Sequence, residues 1–287
     1  MKLDWIKKNN KNTLEQIDRD GVTYLSFPAL EQTGLVSHAF STKFGGVSEG
    51  IYATMNFSFT RDDLKEHVSE NYRRMANALG VDRNRMVLSC QTHTTNVRKV
   101  TEADCGKGVV RERDYRDVDG LITNVPGITL VTFYADCVPL YIVDPVHKAI
   151  GLSHSGWRGT VNHMGQRTLE AMKEAYGTEA RDVIVCIGPS ICQDCYEVSG
   201  DVAEKFEHAF PEEYKTELLE EKENGKFQLN LWRANELVFQ EAGVPEEQIH
   251  TTNICTKCNS DYLFSHRVMG DARGNLAAFL CLNESEQ

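Results

Sequence analysis

Residues 128–160 read ITLVTFYADCVPLYIVDPVHKAIGLSHSGWRGT, and this stretch decides the fold. It holds three apolar runs, Ile128–Tyr134, Leu140–Val143 and Ala149–Ser153, divided by short polar turns. Runs this short, rich in β-branched and aromatic residues, predict buried strands rather than helices. Working outward, similar runs at Leu35–Phe40, Met86–Ser89, Val97–Val100, Gly120–Thr123, Val183–Ile187 and Ala277–Leu282 predict further strands. Helical spacing occurs in four places. Leu64, Val68, Tyr72, Met75 and Leu79 form a stripe stopped by Gly80, and Val161, Met164, Leu169, Met172 and Tyr176 form another closed by Gly177. Val202–Phe210 and Leu231–Ala242 are the others. Strands dominate the middle without strict βα alternation, which predicts an α+β fold with mixed sheets rather than a doubly wound one. The polar stretches Glu102–Asp119 and Pro211–Lys226 read as an exposed loop and a helix–helix connection. Neither resembles a linker, and one domain is expected.

Composition narrows the function. A 287-residue chain buries about three quarters of its unfolded surface, so no staple is required for folding. Lys+Arg 31 against Asp+Glu 42 gives a net charge of −11, which argues against nucleic-acid binding but leaves room for a small anion in a local cationic pocket. The opening MKLDWIKKNN has no apolar core of a signal peptide, and no run is long enough to span a bilayer. Nine cysteines, an odd count, then predict reduced thiols in a cytoplasmic protein. On the same reading, the sequons at Asn56 and Asn283 carry no meaning for glycosylation. Neither a G-x-G-x-x-G fingerprint nor a Walker A sequence is present.

Three segments following predicted strands concentrate reactive side chains: Gln91-Thr92-His93, Ala135–Pro139 and Ser153–Gly159. They contribute His93, Cys137 and His154, a donor set suited to Zn²⁺ with a fourth position left for water or substrate. His154 is followed by a turn, Gly156-Trp157-Arg158-Gly159, expected to open a helix. A helix N-terminus with an arginine fork beside it favours an anion. Cys192-x-x-Cys195 and Cys255-x-x-Cys258 offer a rival zinc reading, but their separation lies far outside zinc-ribbon spacing. Partly buried thiols near the pocket are expected there instead. A nucleophilic Cys137 with His154 as its base is the third option, and sequence alone cannot separate it from metal ligation. His93 tips the reading to metal, since a dyad needs no second imidazole.

Taken in order, Phe40–Phe57 (FSTKFGGVSEGIYATMNF), Gln91–Val97, Asp119–Asn124, Ala135–Pro145, His154–Thr160, Gly188–Val198 and Cys255–Arg267 resemble the YfiH/YlmD family. That family is called laccase domain or multicopper polyphenol oxidase, and its members are also described as purine nucleoside phosphorylases. The resemblance spans about Ser37 to Leu280. It implies a single catalytic domain over residues 1–287, with 1–33 as an N-terminal extension and 283–287 as a tail. It further implies an α+β fold of two packed mixed sheets flanked by helices (CNF/YfiH-like), and a zinc on His93, Cys137 and His154. The implied activity is phosphorolysis of adenosine, inosine, guanosine and methylthioadenosine, with hydrolytic deamination of adenosine. Purine nucleosides and inorganic phosphate are then the partners, with neither nucleic acid nor membrane. Cell-wall precursor editing and polyphenol oxidation are linked to the family as well.

On this reading Cys137, His154 and Arg158 are the catalytic residues, and Lys43, Arg158 and the Gly156–Gly159 turn hold phosphate. Asp136 is a proton-shuttle candidate by adjacency alone, with a structural role the stronger expectation. Two positions depart from the family pattern. Lys43 stands where an arginine is frequent, and Ala272-Arg273-Gly274-Asn275 replaces Thr-Gly-Arg, so the role of that arginine is open. A multicopper oxidase needs roughly ten imidazoles, many in H-x-H pairs. This chain has nine histidines and no such pair, which excludes a laccase of that architecture.

Overall fold

Strand Val138–Asp144 buries all seven of its residues, because both of its faces meet a core. Val138, Leu140 and Ile142 point into one cluster, while Tyr141 and Val143 point into another. The same two-sided alternation holds for Leu276–Leu282, where Leu276, Ala278, Leu280 and Leu282 face one core and Ala277 and Phe279 another. Strands covered on both faces read as continuous apolar runs, which is why they stood out in the sequence.

The computed structural model describes residues 2–284. One six-stranded sheet runs, edge to edge, Glu15–Arg19, Val22–Ser26, Val36–Ser41, Leu276–Leu282, Thr129–Tyr134 and Met86–Leu88. The second runs Ile249–Thr251, Ile184–Ile187, Val138–Asp144, Ala149–Ser155, Gly120–Thr123 and Val97–Lys99. Each is mixed, antiparallel inside with a parallel pair at one edge (Met86–Leu88 on Thr129–Tyr134) or at both edges (Val97–Lys99 and Ile249–Thr251). Leu130, Leu280 and Phe40 of the first sheet pack against Tyr141, Ile150 and Leu152 of the second. Helix Lys65–Leu79 covers the outer face of the first sheet through Val68, Tyr72 and Met75. Helices Met164–Tyr176, Gly200–Ala209 and Leu231–Glu241 cover the second. The layers are therefore helix, sheet, sheet, helix. Gly80 and Gly177 end their helices with φ of 70° and 80°, left-handed positions that favour glycine.

Three readings need correction. Residues 1–33 are no appendage, because Glu15–Arg19 and Val22–Ser26 form a hairpin in the first sheet. The turn is Asp20-Gly21, both at positive φ (51° and 79°), a two-residue hairpin signal. Residues 211–226 do not merely join helices. Leu219–Glu221 pairs with Phe227–Leu229, turned at Gly225 with φ 70°, and Glu197–Val198 completes a small third sheet. Nor is 102–119 uniformly exposed: Lys107 is buried between Asp104 and Asp114, each 2.9 Å from its Nζ. Mutual charge pairing let a polar sequence go inside. Of the tail 283–287, residues 285–287 lie outside the described residues. Among the described residues no helix is long and apolar enough to cross a membrane.

Candidate metal centre

The two sheets are joined by chain crossings at one end, and the reactive side chains sit there. Residues 135–137 carry the chain from Thr129–Tyr134 in one sheet to Val138–Asp144 in the other, and Cys137 closes that turn. Residues 89–96 cross likewise, carrying His93. Gln91 pins this loop to the strand end, its Nε2 donating to the Phe133 carbonyl (2.8 Å) and its Oε1 accepting from the Phe133 N–H (2.6 Å). His154 projects from Ala149–Ser155. The ligand atoms of His93, Cys137 and His154 all lie within 4.8 Å of one another. Cys137 Sγ is 4.0 Å from His93 Nε2, and the two imidazoles meet edge to face at 5.0 Å.

A tetrahedral ion with bonds of about 2.3 Å to sulfur and 2.0 Å to nitrogen separates those atoms by about 3.6 Å. Cys137 and His93 need only a few tenths of an ångström of closure, and the donors of the trio fit a borderline-soft cation. Gly156 supplies the space: a Cβ there would stand 3.0 Å from His93 Cδ2 and 3.1 Å from Cys137 Sγ. His93 and Asp136 adopt positive φ of 65° and 86°, positions that cost a non-glycine residue about 1–3 kcal/mol and concentrate at functional sites.

Asp119, which the sequence reading passed over, organises the trio. It is fully buried at the head of Gly120–Thr123. One oxygen accepts from His154 Nδ1 (2.8 Å) and His93 N (3.0 Å). The other accepts from Thr92 N, Thr94 N and Thr94 Oγ1, each at 3.0 Å. A carboxylate on Nδ1 keeps that nitrogen's proton in place, so Nε2 is the atom that gives up its proton when the ring ligates a metal. Burial alone would push the Asp119 carboxyl up, but the His154 contact and the Thr92 and Thr94 N–H groups hold it below its ordinary value. The available signal was an acid set directly before the apolar stretch Gly120-Leu121-Ile122, a place it occupies only if paired.

Cys137 and His154 form a charged pair in the metal-free chain. Burial raises the thiol, yet the two imidazoles outweigh it and bring the value down to about 6. Burial lowers His154, yet the thiolate and Asp119 outweigh it and push the value up to about 9. The sulfur is held as thiolate at neutral pH, the form that either ligates or attacks.

The trio opens on a cavity of about 480 Å³, within the size range of small-molecule sites. Phe59, Phe133 and Tyr134 supply aromatic wall, and Arg61, Arg113, Arg273 and His266 supply the cationic or protonatable groups. Arg273 is buried, its guanidinium brought down to about 10 by burial and by Arg61 nearby. It donates to the Gly274 carbonyl and Asn275 Oδ1, while its Nε has no partner. Among the described residues neither Arg113 nor Arg273 has a carboxylate in ion-pair contact, whereas Arg61 stands 3.6 Å from Asp271.

The expected phosphate contacts lie elsewhere. Lys43 Nζ donates to the Ser260 carbonyl (2.6 Å) and stands over the Phe264 ring, outside the cavity lining. Arg158 is exposed and stacks on Trp157 at 4.2 Å. The helix it was expected to open, Trp157–Val161, is only five residues long. Gly159 does not line the cavity, and a Cβ there would meet its neighbours only at ordinary contact distance. Asp136 points away, accepting from Thr256 Oγ1 (2.6 Å) and Arg267 N (2.6 Å), so its part is to hold the turn. The paired C-x-x-C motifs need the largest revision: Cys192, Cys195, Cys255 and Cys258 bring all four sulfurs within 4.8 Å of one another.

A family model described as multi-copper polyphenol oxidoreductase laccase matches residues 37–283. The chain belongs to that family. Among similar proteins, the purine nucleoside phosphorylase of Bacteroides thetaiotaomicron is 34% identical over 91% of this chain and 96% of its own length. The purine nucleoside phosphorylase YlmD of Bacillus subtilis is 32% identical over 86% and 88%. The solved structure of the hypothetical protein YfiH from Bacillus licheniformis aligns with a TM-score of 0.88 at 30% identity, covering 95% of this chain and all of that one. YlmD from Geobacillus stearothermophilus aligns at 0.87 and 32%, covering 96% and 100%. The single domain of two mixed sheets with flanking helices is thus shared with solved relatives. Laccase-family membership and the gathered donor groups together indicate metal binding.

Proposed function

We propose that this protein is a zinc-dependent purine nucleoside phosphorylase. Its substrates would be adenosine, inosine, guanosine and methylthioadenosine, and it would also deaminate adenosine. The observation that carries this reading is the convergence of His93, Cys137 and His154 on a cavity lined by three arginines, of which Arg273 keeps an unpartnered Nε. Relatives named purine nucleoside phosphorylase along nearly the whole chain support the substrate class. Zinc is preferred to copper because the donors open on a cavity, and because the two places where His and Cys donors gather among the described residues cannot supply a multicopper cluster.

In phosphorolysis a phosphate oxygen bonds to C1′ as the C1′–N9 bond breaks, and the electron pair leaves with the base. The proton lost by phosphate is the one gained by the purine, so the exchange balances. Arg273 and Arg113 neutralise and orient phosphate, with Arg61 at the rim. Positioning and charge neutralisation of this kind supply most of the rate in such transfers. Phe59 and Phe133 offer faces for the purine. His266 donates through Nδ1 to the Gly270 carbonyl (3.0 Å), leaving Nε2 to exchange a proton in the cavity. An ion on the trio would act as a Lewis acid towards an oxygen of the reactants. The same position serves deamination, in which water adds at C6 and ammonia leaves. Nine free cysteines support a reducing, cytoplasmic setting.

The test is product identification from adenosine by pure protein. Phosphate-dependent adenine with ribose 1-phosphate is expected, alongside phosphate-independent inosine. Adenine without dependence on phosphate would refute phosphorolysis. The Cys137–His154 charge pair favours one second reading, a cysteine hydrolase or deamidase. Rapid alkylation of Cys137 with metal bound would support that instead.

A further inference from the structure

We infer that Cys192, Cys195, Cys255 and Cys258 form a second metal site, a closed tetrathiolate that holds one structural Zn²⁺. The two C-x-x-C motifs lie 63 residues apart in sequence, yet all four Sγ atoms fall within 4.8 Å of one another, and Cys195 Sγ is 3.5 Å from Cys258 Sγ. In a tetrahedron with Zn–S bonds of about 2.3 Å, neighbouring sulfurs stand about 3.8 Å apart. No disulfide joins any of the four.

The backbone around the cluster is built to receive thiolates. Cys255 Sγ accepts from two backbone amides, Cys192 N (3.3 Å) and Cys258 N (3.5 Å). Each motif is wound into a tight turn, with Cys195 N on the Cys192 carbonyl (3.1 Å) and Asn259 N on the Cys255 carbonyl (3.1 Å). The turns are laced together by Thr256 N on the Ser190 carbonyl (3.1 Å). Four thiolates and a divalent ion leave two negative charges. Lys8, whose ammonium pairs with Asp194 at 2.7 Å, lies close enough to Cys192 and Cys258 to soften that charge locally.

Four protein thiolates complete a tetrahedral shell and leave no position for substrate; Cys192 and Cys255 are buried, and Cys195 and Cys258 half-buried. The site is therefore a staple, and such ions contribute folding free energy directly. It also reaches the first centre. Ile191, beside Cys192, donates its N–H to the Asp136 carbonyl (3.0 Å), and Thr256, beside Cys255, donates to the Asp136 carboxylate (2.6 Å). Asp136 precedes Cys137, so the stapled turns hold the thiol-bearing turn in place.

The test uses the full chain with the first centre disabled. His93→Ala/Cys137→Ser protein, purified without chelator, is expected to retain one zinc per chain. Its cobalt-substituted form is expected to show the thiolate charge-transfer absorption of a tetrahedral tetrathiolate. Adding Cys195→Ser and Cys258→Ser should abolish both. A second measurement needs no variant: in the protein as isolated, Cys195 and Cys258 should resist alkylation, and stripping the metal should expose them. Zinc-free double variant, prompt labelling of Cys195 and Cys258 as isolated, or a Cys195–Cys258 disulfide would overturn the proposal.

Discussion

Asp119→Asn is the sharpest perturbation of the site, because one carboxylate serves both imidazole-bearing elements. With its oxygen kept towards Thr92 and Thr94, the asparagine would turn an NH₂ group towards His93 N–H and His154 Nδ1. Two charge-assisted hydrogen bonds are lost, each worth about 1.5–3 kcal/mol, so a loss of about 3 kcal/mol or more is expected. The imidazole can relieve the clash only by accepting at Nδ1, which moves its proton to Nε2 and blocks the atom facing the thiol. Zinc affinity should fall about 10–100-fold, as for other partners of metal-bound histidines. The pH dependence has a definite sign. The Asp119 carboxyl is held below its ordinary value, so its contribution is present above the unfolded value near about 3.9 and is lost as pH falls through the lower folded value. The variant should lack that acid-side loss. Competition with a chromophoric chelator measures the affinity, and thermal unfolding from pH 3 to 7 (the assay range) measures the linkage. Wild-type zinc affinity with an unchanged acid limb would refute the role assigned to Asp119.

Further outcomes follow from the same geometry. In metal-stripped protein, alkylation of Cys137 should titrate with a midpoint near about 6, and the ion pair should weaken above about 9 as His154 deprotonates. A midpoint at the ordinary thiol value would contradict the charge pair. Gly156→Ala places a methyl 3.0 Å from His93 and 3.1 Å from Cys137, and should lower zinc affinity at least about tenfold with little change in Tm. Unaltered affinity would mean the ligands have room to spare. Arg273→Ala should raise the KM for phosphate about tenfold or more, the scale of one charged hydrogen bond, while Arg158→Ala should have the smaller effect. The reverse order would return the phosphate site to the Trp157–Val161 helix.

Much of the fold was legible because its strands are buried on both faces. Ile128–Tyr134, Leu140–Val143 and Ala149–Ser153 announced themselves as apolar runs; the structure begins the first one residue later and extends the other two by two or three residues. The edge strand Glu15–Arg19 was not legible, since Ile17 is its one apolar residue, and only Asp20-Gly21 marked the turn to Val22–Ser26. Lys107 misled by composition, because the acids that pay for its burial are themselves charged. At the site, metal-binding residue types after strand ends pointed to His93, Cys137 and His154. The cationic lining did not show, since Arg61, Arg113 and Arg273 come from three separated loops and meet only in three dimensions. The two C-x-x-C motifs were judged by sequence separation, whereas Ser190 and Cys255 are paired in space.

The central claim, that His93, Cys137 and His154 hold a catalytic zinc, is tested most directly by titrating zinc back into stripped protein while following adenine release from adenosine and phosphate. Activity should return in proportion to the zinc bound, and His93→Ala protein should neither bind that equivalent nor recover. Full turnover before any zinc is added, or recovery undiminished in His93→Ala, would contradict the account.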